Sequence, residues 1–302
     1  MNNNWIKGHL TFHQNLPRPN WASIYKYADA HFGNDNLNAV WEDIARKWMH
    51  ELAASLPSGY RQTETSDFIV LSDQSARYNQ TFSDYLQKCR RHLLSTLAGI
   101  ANDEGYGKHV VIIFGDIDHY YDYVSFYGPQ EGTYGLSSGM YLNYGYGHFV
   151  FPNIDLHNAE PIAAHEMTHA LLNHLQLPTW LDEGLAVNME AAICGFPSPP
   201  LDRQMFDKHQ AFWGEDKMQE FWRGDSFSRP DDGPELSYQL ARILVTNLAE
   251  NYDAFVAFAN KADRRDSGEA AIEDVFDISL GDMVTNFLGE GEWWPKPETW
   301  KG

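Results

Sequence analysis

The chain has 302 residues, 43% of them hydrophobic and 14% aromatic, with ten tryptophans, a composition that excludes long intrinsic disorder. Its formal charge of −20 sets it against a nucleic-acid backbone and against anionic membrane surfaces as partners. No run of the ~18 apolar residues needed to span a membrane occurs, and Met1–Lys7 lacks the apolar core of a signal peptide, so a cytoplasmic location is expected.

Two cysteines, Cys89 and Cys194, provide no disulfide framework. Residues 1–65 read as a helical N-terminal extension, with helices near Trp21–Phe32 and Leu37–Leu56. In the second of these Val40, Ile44, Trp48 and Leu52 recur at helical spacing. A strand is predicted at Phe68–Ser72, a helix at Ser83–Ile100 and a strongly β-branched strand at Val110–Phe114. A strand–helix–strand unit implies a sheet with a crossover connection. Asp116, Asp118 and Asp122 follow the third of these elements. Such residues can hold a divalent ion, but with no phosphate cradle or basic cluster beside them the expected role is to cap the next helix.

The segment Gly128–Gly147 is rich in Gly and Tyr and contains candidate strands at Gly139–Leu142 and just beyond it at His148–Phe151. Neither a G-x-G-x-x-G nor a G-x-x-x-x-G-K-S/T phosphate loop is present. The glycines suit a surface hairpin, or equally an edge strand kept accessible beside the next helix, where an extended peptide can add as a strand. That helix is expected to be capped by Asn158, with Glu160 and Pro161 in its first turn. Ile162, Ala163, Met167, Ala170, Leu171 and Leu175 give it an apolar surface.

His165, Glu166 and His169 interrupt that apolar surface in the pattern H-E-x-x-H. On a helix the two imidazoles stand one turn apart on one face, the reach needed to grip one zinc ion. A metal also removes the difficulty of burying ionisable groups without partners. After a helix break at Leu177-Pro178, Trp180-Leu181-Asp182-Glu183-Gly184 brings a carboxylate where the chain can fold back onto that face. Two His, one Glu and an open fourth position describe a catalytic zinc site rather than a structural one. A third-His register would need Gly at 172 and His at 175, and both positions are Leu; His174 is off by one. Glu183 is therefore the expected third ligand, and Asp182 a cap or solvated carboxylate.

The helix bearing Glu183 is expected to run to about Ile193, followed by a lobe boundary at Gly195–Pro200. Beyond it every element reads as helix: Asp202–Trp222, Pro234–Asn251, Tyr252–Lys261, Ala270–Phe276 and Leu280–Phe287, with a tail docked by Trp293 and Trp294. The expected organisation is α+β: an α/β catalytic lobe at 66–196 carrying the zinc helix and a helical C-terminal lobe at 197–302, joined with 1–65 in one catalytic unit.

The sequence H-E-x-x-H, a short gap, then W-L-x-E-G-L-A resembles the gluzincin metallopeptidases, in particular the compact peptidase-MA-like group. Downstream, Tyr238-Gln239-Leu240-Ala241-Arg242-Ile243-Leu244 resembles the Y-x-x-(A/G)-x-x-L helix of aminopeptidase-type gluzincins. The resemblance covers about residues 65–290 in element order. It implies a gluzincin-like fold, with a sheet packed on the zinc helix and a mostly helical second lobe. It also implies one Zn2+ held by His165, His169 and Glu183. Glu166 would be the general base toward an activated water, and the Tyr238 hydroxyl would stabilise the tetrahedral intermediate. A peptide or protein is the implied substrate. No Gly-Ala-Met-Glu-Asn segment precedes the zinc helix, so internal cleavage is expected over trimming of N-termini. Asn188 and Glu190 are candidates for orienting the ligands. Two other readings remain: a peptide-binding module with little turnover, against which the intact Glu166 speaks, and a zinc hydrolase of non-peptide amides. Oligomeric state is not legible in the sequence.

Overall fold

A computed structural model describes residues 5–32, 36–128, 138–195 and 201–300 of an α+β protein. Contacts divide the chain into two units, Met1–His92 with Asp103–Ala170, and Leu93–Asn102 with Leu171–Gly302. The lobe boundary expected at Gly195–Pro200 falls mostly on residues outside the described set. Among the described residues no helix is long and apolar enough to cross a membrane.

The first unit opens with a hairpin, β1 (Leu10–His13) and β2 (Leu16–Pro19), turned by Gln14 and Asn15, both at positive φ. This is the backbone that a two-residue hairpin turn requires. Helices α1 (Trp21–Phe32) and α2 (Leu37–Ser55) follow, close to their predicted limits. Then come β3 (Arg61–Glu64), β4 (Phe68–Ser72), α3 (Ala76–Thr96), β5 (His109–Ile113), α4 (Ile117–Ser125), β6 (Met140–Leu142), β7 (His148–Phe151) and α5 (Leu156–Leu172). Helix α3 starts ahead of the expected Ser83, because the Ser75 hydroxyl accepts the Tyr78 N–H and caps a polar first turn that apolar periodicity does not register.

Strands β3 to β7 form a five-stranded sheet in the order β3-β4-β5-β7-β6, in which β4, β5 and β7 run parallel and the edges β3 and β6 are antiparallel. Strand β4 connects through α3 to β5, the crossover that the sequence implies. Every residue of β4 and β7 is buried, so these strands read as unbroken apolar runs rather than alternating ones. Residues 1–65 do not stand apart from the sheet. Ile24, Trp41, Ile44, Trp48 and Leu52 share one core with Ile69, Leu71, Val110, Ile112 and Val150. The hairpin is fastened by Arg18, wholly buried, whose guanidinium lies 4.0 Å from the centre of the Tyr123 ring and donates to the Asp122 carbonyl at 3.0 Å. The carbonyl end of α4 and the aromatic face together supply its negative environment.

The second unit holds α6 (Thr179–Cys194), α7 (Arg203–Phe212), α8 (Glu215–Arg223), α9 (Gly233–Leu248), α10 (Tyr252–Ala259), α11 (Glu269–Phe276) and α12 (Leu280–Leu288). The single helix predicted over Asp202–Trp222 is two. Helix α7 closes at Trp213, whose N–H donates to the His209 carbonyl, and Gly214 starts α8 from an extended conformation. The C-terminal tail docks through Trp293, as its carbonyl accepts the Trp222 indole N–H at 2.6 Å and its own indole donates to the Gly289 carbonyl at 2.7 Å.

One buried titratable group in the sheet has a calculable consequence. On β7, the His148 Nδ1–H donates to the Tyr146 carbonyl at 2.8 Å, and in the neutral ring Nε2 accepts the Tyr123 hydroxyl at 2.9 Å. Burial pushes its pKa down from 6.5 to about 4. In the unfolded chain the same imidazole takes its proton near 6.5, so its contribution to stability is present above that pH and is lost as pH falls toward 4. The unfolding free energy should therefore drop over this window by on the order of 2–3 kcal/mol from this residue. Denaturant titrations between pH 4 and 7 check this: the His148→Gln protein should show a flatter pH dependence than the wild type.

Candidate metal centre

Helix α5 begins at Leu156, ahead of Asn158, so Asn158 is not the cap. That role belongs to Asp155, whose carboxylate accepts the Asn158 N–H at 3.1 Å and whose carbonyl accepts the Ala159 N–H at 2.9 Å. Pro161 consequently lies inside the helix. Two tyrosines of α3 hold this end of α5 in place: the Tyr78 hydroxyl donates to the Ile154 carbonyl and the Tyr85 hydroxyl to the Glu160 carbonyl, each at 2.8 Å. Further along, Ala159, Ala163, Ala164, Met167, Thr168 and Leu171 are completely buried, whereas His165, Glu166 and His169 are only partly so.

The two imidazoles stand one turn apart, ring centres 4.8 Å from each other and steeply inclined. His165, His169 and Glu183 form the one group among the described residues in which three potential ligand atoms lie within 4.8 Å of one another. Two imidazole nitrogens and a carboxylate oxygen, all half-buried, are a donor set that could hold a metal ion, and three such donors would leave a tetrahedral position open. His174 is exposed, on the loop after α5, and is no part of the group. Asp116, Asp118 and Asp122 form no such group either; Asp116 caps α4, accepting the Asp118 N–H at 2.8 Å.

Glu166 is turned toward the sheet. Its Oε2 accepts the backbone N–H of Tyr141, on edge strand β6, at 2.6 Å. Sequence reading did not find this contact, because the donor is main chain and any residue at 141 except proline supplies it.

Glu183 lies in the first turns of α6, whose N-terminal anchor is the wholly buried Trp180, its indole donating to the Ser267 carbonyl at 3.0 Å. The next residue is glycine for a steric reason. A Cβ on Gly184 would lie 2.6 Å from the Ala241 carbonyl oxygen and 2.7 Å from Val245 Cγ2, so α6 and α9 approach backbone to backbone there. Asn188 tightens the same helix pair, donating to the Gly184 and Arg242 carbonyls at 2.8 and 3.2 Å and accepting the Thr246 hydroxyl at 3.0 Å. Its amide thus serves helix packing. Tyr238 is on α9, one turn before Ala241, half-buried and edge-on to Phe227 with ring centres 5.1 Å apart.

No model of a known protein family matches this chain, and no curated protein does. The site therefore stands on its own residues and geometry.

Gly184→Val should be among the most damaging single substitutions in the second unit. Its branched side chain meets the Ala241 backbone as well as the stiff Val245 side chain, and the expected loss is ~2–4 kcal/mol. Thermal unfolding measures it; a Gly184→Val protein as stable as the wild type would show that α6 and α9 are not in backbone contact.

Proposed function

We propose that this protein is a zinc-dependent hydrolase of peptide bonds, related in its site design to the gluzincin metallopeptidases that the sequence resembles, and that it cleaves within chains rather than from their N-termini. The observation that carries this reading is the mutual reach of His165, His169 and Glu183 with Glu166 beside them on α5. His165, His169 and Glu183 would hold the ion. Bound zinc supplies Lewis acidity, both to a water nucleophile and to the carbonyl under attack.

The remaining chemistry belongs to the chain. Glu166, adjacent to a ligand but not itself in the ligand group, is the base that takes the proton of the attacking water and then delivers it to the departing amine. Its carboxylate is already oriented by the Tyr141 N–H. Tyr238, through its phenolic O–H, is the proposed donor to the oxygen that gains negative charge as the carbonyl carbon becomes tetrahedral. The charge of −20 gives the protein a field that favours approach of basic peptides over acidic ones.

Metal analysis and cleavage profiling test the reading together. The purified protein should carry about one zinc per chain, lost in His165→Ala and in Glu183→Ala. On a mixed peptide library the wild type should cut in a chelator-sensitive manner. Glu166→Gln should retain its metal and lose turnover by ~10²–10⁴-fold. A wild type with no zinc, or a fully active Glu166→Gln, would defeat the proposal. Zinc binding with no cleavage of any peptide would point instead to a binding module or to an amide substrate outside peptides.

A further inference from the structure

Two positions on edge strand β6 and its approach meet two positions on α5. Gly139 lies against Ile162: a Cβ at 139 would stand 2.8 Å from Ile162 Cγ2 and 2.7 Å from Phe151 Cδ1. Tyr141, two residues on, gives its N–H to Glu166, four residues on from Ile162. The spacings agree, since two extended residues advance ~6.8 Å and four helical residues ~6 Å. The strand therefore runs alongside the helix in the same direction, with the glycine setting how close it comes.

From this we infer that the backbone amide of Tyr141 is the positioning group for the Glu166 carboxylate, and that Gly139 is the residue that lets it act. The inference rests on the proposed role of Glu166 as the base. Tyr141 faces Phe149 across the β6–β7 ladder, and with its N–H directed to Glu166 that amide is not spent on β7. At most edge strands such an outward amide meets water. Here it meets a carboxylate at 2.6 Å, a charge-assisted bond in the short range. A glutamate has three side-chain torsions to fix. Holding Oε2 restricts those torsions, so less ordering remains for the reacting complex. A side chain at 139 would push the strand off Ile162 and Phe151 and carry the amide away from Glu166.

Proline at 141 replaces the N–H by a ring carbon, which displaces the Glu166 carboxylate from that point, and because the position faces outward from an edge strand the sheet can accept it. Alanine at 141 removes the same side chain and keeps the N–H. The experiment compares Tyr141→Pro with Tyr141→Ala for kcat, KM, zinc content and thermal unfolding. It also follows the Tyr141 amide resonance of the isotope-labelled wild type and of its Glu166→Ala variant.

The expected result is a kcat for Tyr141→Pro ~10–100-fold below that of Tyr141→Ala, the range for removing a group that orients a site residue. KM and zinc content should be alike in the two variants. The Tyr141 amide proton should lie downfield in the wild type and move upfield in Glu166→Ala. Equal kcat values, or an amide resonance that does not respond to Glu166→Ala, would overturn the inference while leaving an active, zinc-dependent wild type in place. If the wild type cleaves no peptide while the amide still responds to Glu166→Ala, the bond stands but its catalytic purpose is overturned along with the reading it rests on. A Tyr141→Pro protein that fails to fold leaves Gly139→Ala as the second variant. The strand displacement should lower its kcat and shift the Tyr141 amide upfield, and an unchanged kcat and resonance would overturn the inference.

Discussion

The site depends on how α5 is buried. Ala159, Ala163, Ala164, Met167, Thr168 and Leu171 are fully enclosed, and these residues occupy about half the circumference of the helix. Successive residues are separated by ~100° around an α-helix. Turning α5 by a single residue would drive His165, Glu166 or His169 into that enclosed region, where unpaired ionisable groups cost several kcal/mol. The orientation of the two imidazoles is thus imposed by packing and does not need a metal to establish it. Tyr78 and Tyr85 add the axial restraint, gripping carbonyls just before the helix and one turn into it.

A second constraint acts through glycine. Gly139 precedes the amide that reaches Glu166, and Gly184 follows Glu183. Each is the point at which one backbone comes within contact distance of a neighbouring element, Ile162 and Phe151 in one case, Ala241 and Val245 in the other. Close approach of this kind is available only where the Cβ is missing. Both glycines therefore act on a side chain of the candidate site indirectly, by fixing the element that presents its partner or carries it.

Much of this was legible beforehand. Strands β4 and β7 fall on their predicted residues because interior strands of a parallel sheet are continuous apolar runs bounded by polar residues. The group His165, His169 and Glu183 was legible because ionisable side chains of this kind have few alternative uses in an apolar helix and after a proline break. Helix starts were less so. Asp155 and Asn158 are both good capping residues, and the apolar pattern that follows does not distinguish them. The β1–β2 hairpin escaped notice because Pro17 and Pro19 demote any strand reading, and because Gln14-Asn15 is not the usual glycine-bearing turn. The Tyr141–Glu166 bond could not be read at all, for its donor carries no side-chain signature.

Under the proposed function, the H-E-x-x-H pattern also separates two tasks by angle. His165 and His169, four residues apart, share a face, whereas Glu166 is displaced from His165 by ~100° about the axis. A carboxylate so displaced cannot easily join the imidazoles on one ion, and it needs a partner of its own to keep it from wandering. In this protein that partner is an outward-facing amide of an edge strand, a group that every antiparallel edge possesses and that most leave to solvent. An edge strand laid against the flank of the helix therefore does more than complete the sheet. Under the proposed function it supplies the fixed dipole that keeps Glu166 beside the ligands without its becoming one, and the requirement falls on strand placement, hence on Gly139, more than on the identity of the residue at 141.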